Sequence, residues 1–313
     1  MGDLVVLLSG GGGGAKLAEG LAALLSPERL VIVGNTGDDL DWYGLRICPD
    51  LDTLLYTLAG EVDPRRGWGI RGDTFAVLER LAAYGEDPWF RVGDRDLATA
   101  LVRTAWLEQG MRLTEVMQRL GRALGVPYRI LPMTDDPVRT MIQTPQGEMD
   151  FQTYFVRRGH RDSVQGIRFA GIEEARPTPE VLEALEDAGI ILLGPSNPFV
   201  SIGPILAVPG IRNAIRRSPA RKAAISPLVA GQALKGPADA MMRTLGHRPD
   251  AVGVAALYRD LVEVFILDAV DAALAPEVER MGLRAVVAET VMRTPEDRRV
   301  LARHLLEMME VRE

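Results

Sequence analysis

A continuous apolar strand that runs straight into five glycines is the feature that most restricts this chain. Residues 4–8 read LVVLL, the composition of a buried parallel strand. Gly10 to Gly14 follow, then Ala15, Lys16 and Leu17. From there Leu17, Leu21, Leu24 and Leu25 recur at helical spacing. The unit reads as strand, glycine loop, helix from Lys16. Glycines let the backbone turn sharply and bring bare N–H groups close to a ligand, and a helix start adds unpaired donors and the positive end of its dipole. The combination is an anion site suited to phosphate.

The spacing of Gly10, Gly12 and Ala15 fits a dinucleotide fingerprint, but in a run of five glycines that match carries little. A P-loop is excluded, because Leu17 stands where Ser or Thr should follow the lysine. The second strand, Leu30 to Gly34, ends in Asn35-Thr36-Gly37-Asp38-Asp39, without the ribose-binding acid of a dehydrogenase. That polar turn is itself a binding loop at a strand's carboxyl end.

The 313 residues suffice for one large core, and a net charge of −7 argues against non-specific nucleic-acid binding. Cys48 is the single cysteine, which rules out an internal disulfide and suits a reducing compartment. No apolar stretch is long enough to span a membrane and no signal peptide is evident, so the cytoplasm is the expected location. His160, His247 and His304 stand apart and give no metal-ligand spacing. A two-fold homodimer is the expected assembly.

Further along, Pro49-Asp50-Leu51-Asp52 starts a helix that ends at Gly60, with Asp50 a helix cap or a site acid. Asp73 is read as the cap of a helix through Tyr84. Trp68, Trp89 and Phe90 are rings that could stack on a planar substrate or fill core. Helices near 97–109 and 114–124 make an inserted helical segment at about 60–125. Residues 138–144 and 149–157 read as a hairpin. Strands near 128–131, 190–193, 222–226, 261–267 and 283–287 and a helix at 295–309 complete an α/β, Rossmann-like architecture, one domain over 1–313 with a mostly parallel sheet and helices on both faces. The strand at 190–193 leads into Gly194-Pro195-Ser196-Asn197-Pro198 and Ser201, hydroxyls and an amide held beside stiff prolines. No serine-hydrolase elbow is present, and the parts suit phosphoryl transfer.

The stretches SGGGGGAKL, NTGDD, PDLDT, GDRDL, LPMTDDPV, GPSNPFVSIGPIL and SPLVAGQALKGPA, in this order over nearly the whole chain, resemble the 2-phospho-L-lactate transferase family of coenzyme F420 biosynthesis. The family usually has Thr where this chain has Gly12. The resemblance implies a guanosine-diphospho donor carrying lactate or its enolpyruvyl analogue, the deazaflavin Fo as acceptor, GMP as leaving group, F420-0 or dehydro-F420-0 as product, and Mg2+. Beside it, the residues themselves place the nucleotide and phosphates at Gly11, Gly12, Gly13, Gly14, Lys16, Asn35, Ser196, Asn197 and Ser201. Fo would meet Asp50, Trp89, Arg91 and Asp94, and Asp50 and Asp52 are the candidates for catalysis and for the metal. The rival reading is a regulatory protein of related fold that binds nucleotide sugars. It would account for the cradle but not for the acceptor motifs.

Overall fold

The computed structural model describes residues 4–310. Seven strands form one sheet: β1 (Leu4–Ser9), β2 (Leu30–Gly34), β3 (Arg129–Pro132), β4 (Ala188–Leu193), β5 (Arg221–Ile225), β6 (Val264–Asp268) and β7 (Arg284–Ala288). Their spatial order is β7-β6-β5-β4-β1-β2-β3, and every pairing is parallel. The chain leaves β1 in one direction for β2 and β3, then returns to the other side of β1 for β4 through β7. That reversal puts a crevice between the carboxyl ends of β1 and β4, where open α/β sheets bind ligands.

Both faces of the sheet are covered, which is why its strands are apolar throughout. Val6, Leu8, Val31, Val33, Ile191 and Leu193 point into one core. Val5, Leu7, Leu30, Ile32 and Leu192 point into the other. The second core is closed by α1 (Gly11–Ala22), α2 (Pro49–Leu58) and a C-terminal helix, Pro295–Glu310. Gly20 is the point of close approach between α1 and that helix, since a methyl group there would sit on the Arg298 carbonyl.

The inserted segment contains α3 (Ala76–Ala83), α4 (Asp94–Glu108) and α5 (Leu113–Ala123). Leu113, Val116, Met117 and Leu120 of α5 pack into the main core. A separate small core joins Leu78, Phe90, Val92, Leu97 and Ala100 to Leu40, Trp42 and Ile47. The last three lie on a tight hairpin, Leu40–Trp42 with Leu45–Ile47, turned by Tyr43 and Gly44 at φ 49° and 77°. Sequence reading passed over this hairpin, although a two-residue turn with both φ positive is the usual hairpin connection.

Three local expectations change. The helix starts within the glycine run rather than at Lys16: Gly10 is its cap position and Gly11–Gly14 are its first turn. The capping of α3 and α4 is exchanged. Asp94 accepts from the Ala76 and Val77 N–H groups at 3.0 Å each, and Asp73 accepts from Arg95 N at 2.9 Å and Asp96 N at 3.1 Å. The strand expected over 149–157 ends at Asp150, because that carboxylate accepts from the Thr153 N–H at 2.9 Å and caps a wide helical turn, Thr153–Arg157.

The glycines of the first turn are not equivalent. A methyl on Gly13 would sit on the Pro195 carbonyl oxygen, and one on Gly14 would collide with Ser9 Oγ. At Gly12 the nearest atom is the Gly67 carbonyl oxygen, 3.7 Å away. Gly13→Ala should therefore lower the unfolding free energy by roughly 1–3 kcal/mol through overpacking. Gly12→Ala should change it by less than about 1 kcal/mol. Urea denaturation of the two variants checks the contrast, and equal losses would contradict the assigned close approach.

Candidate active site

Four backbone and side-chain elements meet at the β1/β4 crevice. Gly10 and Ser196 are tied reciprocally: Ser196 Oγ donates to the Gly10 carbonyl at 2.7 Å and accepts from its N–H at 3.3 Å. Gly11 takes φ +64°, a backbone setting that favours glycine, and aims its N–H at Asp50 Oδ1, 2.7 Å away. The other oxygen of Asp50 accepts from Asn35 Nδ2 at 2.9 Å. The same amide nitrogen reaches Asp38 Oδ1 at 3.1 Å and the Val200 carbonyl at 3.2 Å, while Asn35 Oδ1 accepts from Gly37 N at 2.8 Å. Asn35 is thus the junction of the β2 turn, the start of α2 and the loop after β4. Gly10 has no room for a side chain, since a Cβ would stand 2.6 Å from Ser201 Cβ and 2.7 Å from Asp50 Oδ2. Gly12 and Gly13 come next in the helix's first turn, where backbone N–H groups have no intrahelical acceptor. Such donors suit an anion.

The electrostatics of this crevice are unusual. Asp38, Asp39, Asp50 and Asp52 are all buried. Burial pushes the Asp50 carboxyl up to about 6 against the pull of its Asn35 and Gly11 hydrogen bonds. Burial also raises Asp38 well above the usual range, and the charges of Asp50 and Asp39 raise it further. Asp39 is pushed up to about 7 by burial, although the Cys48 thiol donates to its Oδ2 at 3.0 Å; its Oδ1 is buried without a partner.

Asp52 has a different task. Its two oxygens face the guanidinium of fully buried Arg103, Oδ2 at 3.1 Å from Nη1 and Oδ1 in direct contact with Nη2. Committed in this way, Asp52 does not face the crevice as the sequence suggested for catalysis and for a metal. It fastens α2 to α4 and so fixes where Asp50 stands.

The remaining sequence candidates divide. Ser201, buried, lies against Gly10. Asn197 is occupied in its own turn, where Oδ1 accepts from Phe199 N at 2.9 Å. Lys16 points toward the C-terminal segment, with Nζ 2.9 Å from the Met292 carbonyl, and burial, then Arg298 and Lys235, hold its ammonium below the usual lysine range. It does not contact the glycine turn directly, contrary to expectation. Asp94 is spent on the α3 cap, so it is not a free acceptor contact. Phe90 is core. Trp89 is half-buried beside a separate open cavity of about 260 Å³ that also meets Trp42, Tyr43 and Arg139. Exposed Arg91 lies over the Phe75 ring, 4.6 Å from its centre, with Arg66 also over Phe75 at 5.2 Å and over Trp68 at 5.0 Å. Gly67, next to Arg66, faces Gly12, so this cation–aromatic array borders the cradle. Sequence reading did not name Asp38, Asp39, Arg66, Phe75 and Lys235 as candidates, although they border this crevice, Lys235 through its bond to the Arg66 carbonyl at 3.0 Å. The first two stood in the quoted NTGDD stretch, and the signal was two adjacent acids at a strand end.

Magnesium can be tested against these groups. Among the described residues no cluster of three or more His, Cys, Asp or Glu side chains is arranged to hold a metal. A magnesium ion bound with substrate needs only one or two carboxylates, the rest of its shell coming from phosphates and water. The buried acids at this turn fit such an ion: Asp39 Oδ1 has no partner, and Asp38 shares the Asn35 amide with Asp50, so Asp38 and Asp39 would be the carboxylates that hold it.

The chain is similar to known proteins over nearly its whole length. The family model described as 2-phospho-L-lactate transferase CofD matches residues 5–306. A Methanosarcina barkeri protein named 2-phospho-L-lactate transferase is 37% identical over 298 residues, covering 95% of this chain and 96% of its own length. A Streptomyces griseus protein named phosphoenolpyruvate transferase is 41% identical over 312 residues, covering 98% of each chain. Among solved structures, a upf0052-family protein from Bacillus halodurans superposes with a TM-score of 0.64 at 17% identity, covering 98% of this chain and 99% of its own. That likeness concerns the fold alone.

The raised Asp39 carboxyl has a consequence for stability. Between the usual aspartate range and pH 7 the native state holds a proton that the unfolded chain has released, so stability falls as pH rises through this interval. Asp39→Asn keeps the shape and removes the titration. Its melting temperature should exceed that of the parent at pH 8 and vary less between pH 5 and pH 8, as followed by calorimetry. Identical pH slopes would show that Asp39 is ionised throughout.

Proposed function

We propose, from the premise that this chain belongs to the 2-phospho-L-lactate transferase family and is a transferase, that it moves a phospholactyl or phosphoenolpyruvyl group from a guanosine-diphospho donor to the deazaflavin Fo. The observation that carries the reading is the position of Asp50. Its carboxylate is buried, bonded to the first N–H of the glycine turn, and poised near pH 6. A base of that strength beside an anion cradle suits attack by a hydroxyl on phosphorus.

In this reading the N–H groups of Gly12 and Gly13 hold the donor's pyrophosphate, with Ser196 and Ser201 lining the opposite wall. Arg91, Phe75, Arg66 and Trp68 offer the planar acceptor a stacking surface next to Gly67. Asp50 takes the proton of the primary ribityl hydroxyl as its oxygen forms a bond to the phosphorus that carries the three-carbon acid. The bridging P–O bond breaks and GMP leaves with the electron pair. The products are a phosphodiester, F420-0 or dehydro-F420-0, and GMP. Bound Mg2+ would neutralise charge on the phosphates. Asp38 accepts from the same Asn35 amide and keeps it oriented toward Asp50. A two-fold homodimer remains the assembly we favour.

Liquid chromatography after mixing protein, Mg2+, Fo and either donor should show GMP and a Fo phosphodiester in equal amounts. Nucleotide-sugar binding without GMP from either donor would favour the regulatory reading instead. Running the two donors in competition identifies the acid.

For Asp50→Asn we expect turnover to fall by roughly a hundredfold or more, the scale of losing a positioned base. The parent's kcat/KM should fall below a midpoint near pH 6, the position of the Asp50 carboxyl. The acid limb should vanish from the residual activity of the variant, and its persistence would assign the base elsewhere.

A further inference from the structure

Lysine supplies three of the 36 cationic side chains in this sequence, and arginine supplies the rest. Lys222 is buried and paired, with Nζ 3.0 Å from Glu263 Oε1. The other two, Lys16 and Lys235, come from distant parts of the chain and meet beside the glycine turn. Burial, then Arg298, then Lys235 hold the Lys16 ammonium below the usual lysine range, and Glu19 opposes them. Glu19 is itself paired with Arg298.

Lys235 is mounted for this position. It follows a short antiparallel ribbon after β5, Leu228–Val229 with Gln232–Ala233, turned by Ala230 and Gly231 at φ 51° and 71°. The Ala230 N–H donates to Asp271 Oδ2 at 3.0 Å and anchors the turn. From there Lys235 Nζ donates to the Arg66 carbonyl at 3.0 Å. The ammonium stands against Gly67, where a Cβ would lie 2.9 Å from it. The Gly67 carbonyl in turn faces Gly12, so a single residue separates Lys235 from the glycine turn. Among the described residues, Lys16 and Lys235 each make one hydrogen bond, to a carbonyl, and neither has a carboxylate within ion-pair distance. An ammonium carries three donors, so two on each are left for a ligand. Two such charges at close quarters disfavour one another, and a multivalent anion relieves that repulsion. A compact ammonium also meets phosphate as a point charge, without the room that a planar guanidinium needs beside a crowded backbone turn.

We propose, on the basis of the transfer reaction above, that Lys235 joins Lys16 in an ammonium pair that takes the donor's pyrophosphate. The backbone N–H groups of the glycine turn orient the phosphates, and the two ammoniums offset their charge. Asp50 serves the attacking hydroxyl, whereas the lysine pair serves the phosphate that departs with GMP and gathers charge as the bond breaks.

With only three lysines, the full chain isotope-labelled at its lysine side chains gives one set of magnetic-resonance signals for each. In buffer without Mg2+, inorganic pyrophosphate should shift the Lys16 and Lys235 signals and leave those of Lys222 in place. The Lys16 titration midpoint should rise in Lys235→Met, where a neighbouring positive charge is gone, and in the parent on saturation with pyrophosphate. By calorimetry Lys235→Met should bind pyrophosphate roughly tenfold or more weakly, the scale of one charged hydrogen bond, and Lys235→Arg, which keeps the charge, should lose less. Pyrophosphate that shifts neither lysine, or Lys16 alone, would overturn the pair, and the parent spectra decide this even where a variant is unstable. An affinity unchanged in Lys235→Met would overturn it too, and would leave Lys235 as a strap that pins the Arg66 carbonyl. These readouts need neither acceptor nor turnover. GMP release together with pyrophosphate binding indifferent to Lys235 would sink the pair alone, and binding through both lysines without GMP release would uphold the pair and sink the reaction.

Discussion

One carboxylate holds the crevice together. Asp50 accepts from Gly11 on one side and from Asn35 on the other, at 2.7 Å and 2.9 Å. Through these two bonds it joins the end of β1, the end of β2 and the start of α2, while Asn35 extends the link to the loop after β4. A buried carboxylate is costly to keep charged unless donors surround it. Here burial outweighs the two donors, and the carboxyl is pushed up to about 6. The arrangement that fixes the backbone also sets the proton affinity of this acid.

The second constraint is the pair Asp52–Arg103. Arg103 is a fully buried guanidinium facing this group of acids, and it spans from α4 to the helix that carries Asp50. Its presence explains why Asp52 stays out of the crevice although only one residue separates it from Asp50. Two positions along a helix turn a side chain by about 200°. One aspartate therefore faces the glycine turn and the other faces the inserted lobe.

Much of this was legible in the sequence where the cause was local. The apolar runs of β1 and β2 and the glycine run marked the sheet and the cradle, because continuous burial and tight backbone approach leave direct traces in composition. The departures share a different cause. NTGDD read as a polar binding turn, but its partners were not legible: Gln152, 114 positions away, bonds Asp38, and the Cys48 thiol bonds Asp39. Asp73 was read as the cap of the helix that follows it, and its carboxylate instead serves the helix after that one. Asp50 could be placed in the site, but its partner Asn35 could not be matched to it, since the bond spans two strand ends. Residues whose role depends on a partner distant in sequence leave no periodic signal.

The exchanged caps of α3 and α4 bear on how the inserted lobe opens. Each helix relies on an aspartate outside itself to satisfy its first N–H groups, and the two aspartates lie at each other's helix start. Gly93 is required there, since a methyl group would collide with the Asp73 carboxylate. Neither end can fray without exposing the donors of the other. The first turns of α3 and α4 therefore exchange their amide hydrogens at one common rate, as a single cooperative unit rather than as two helix ends of independent stability.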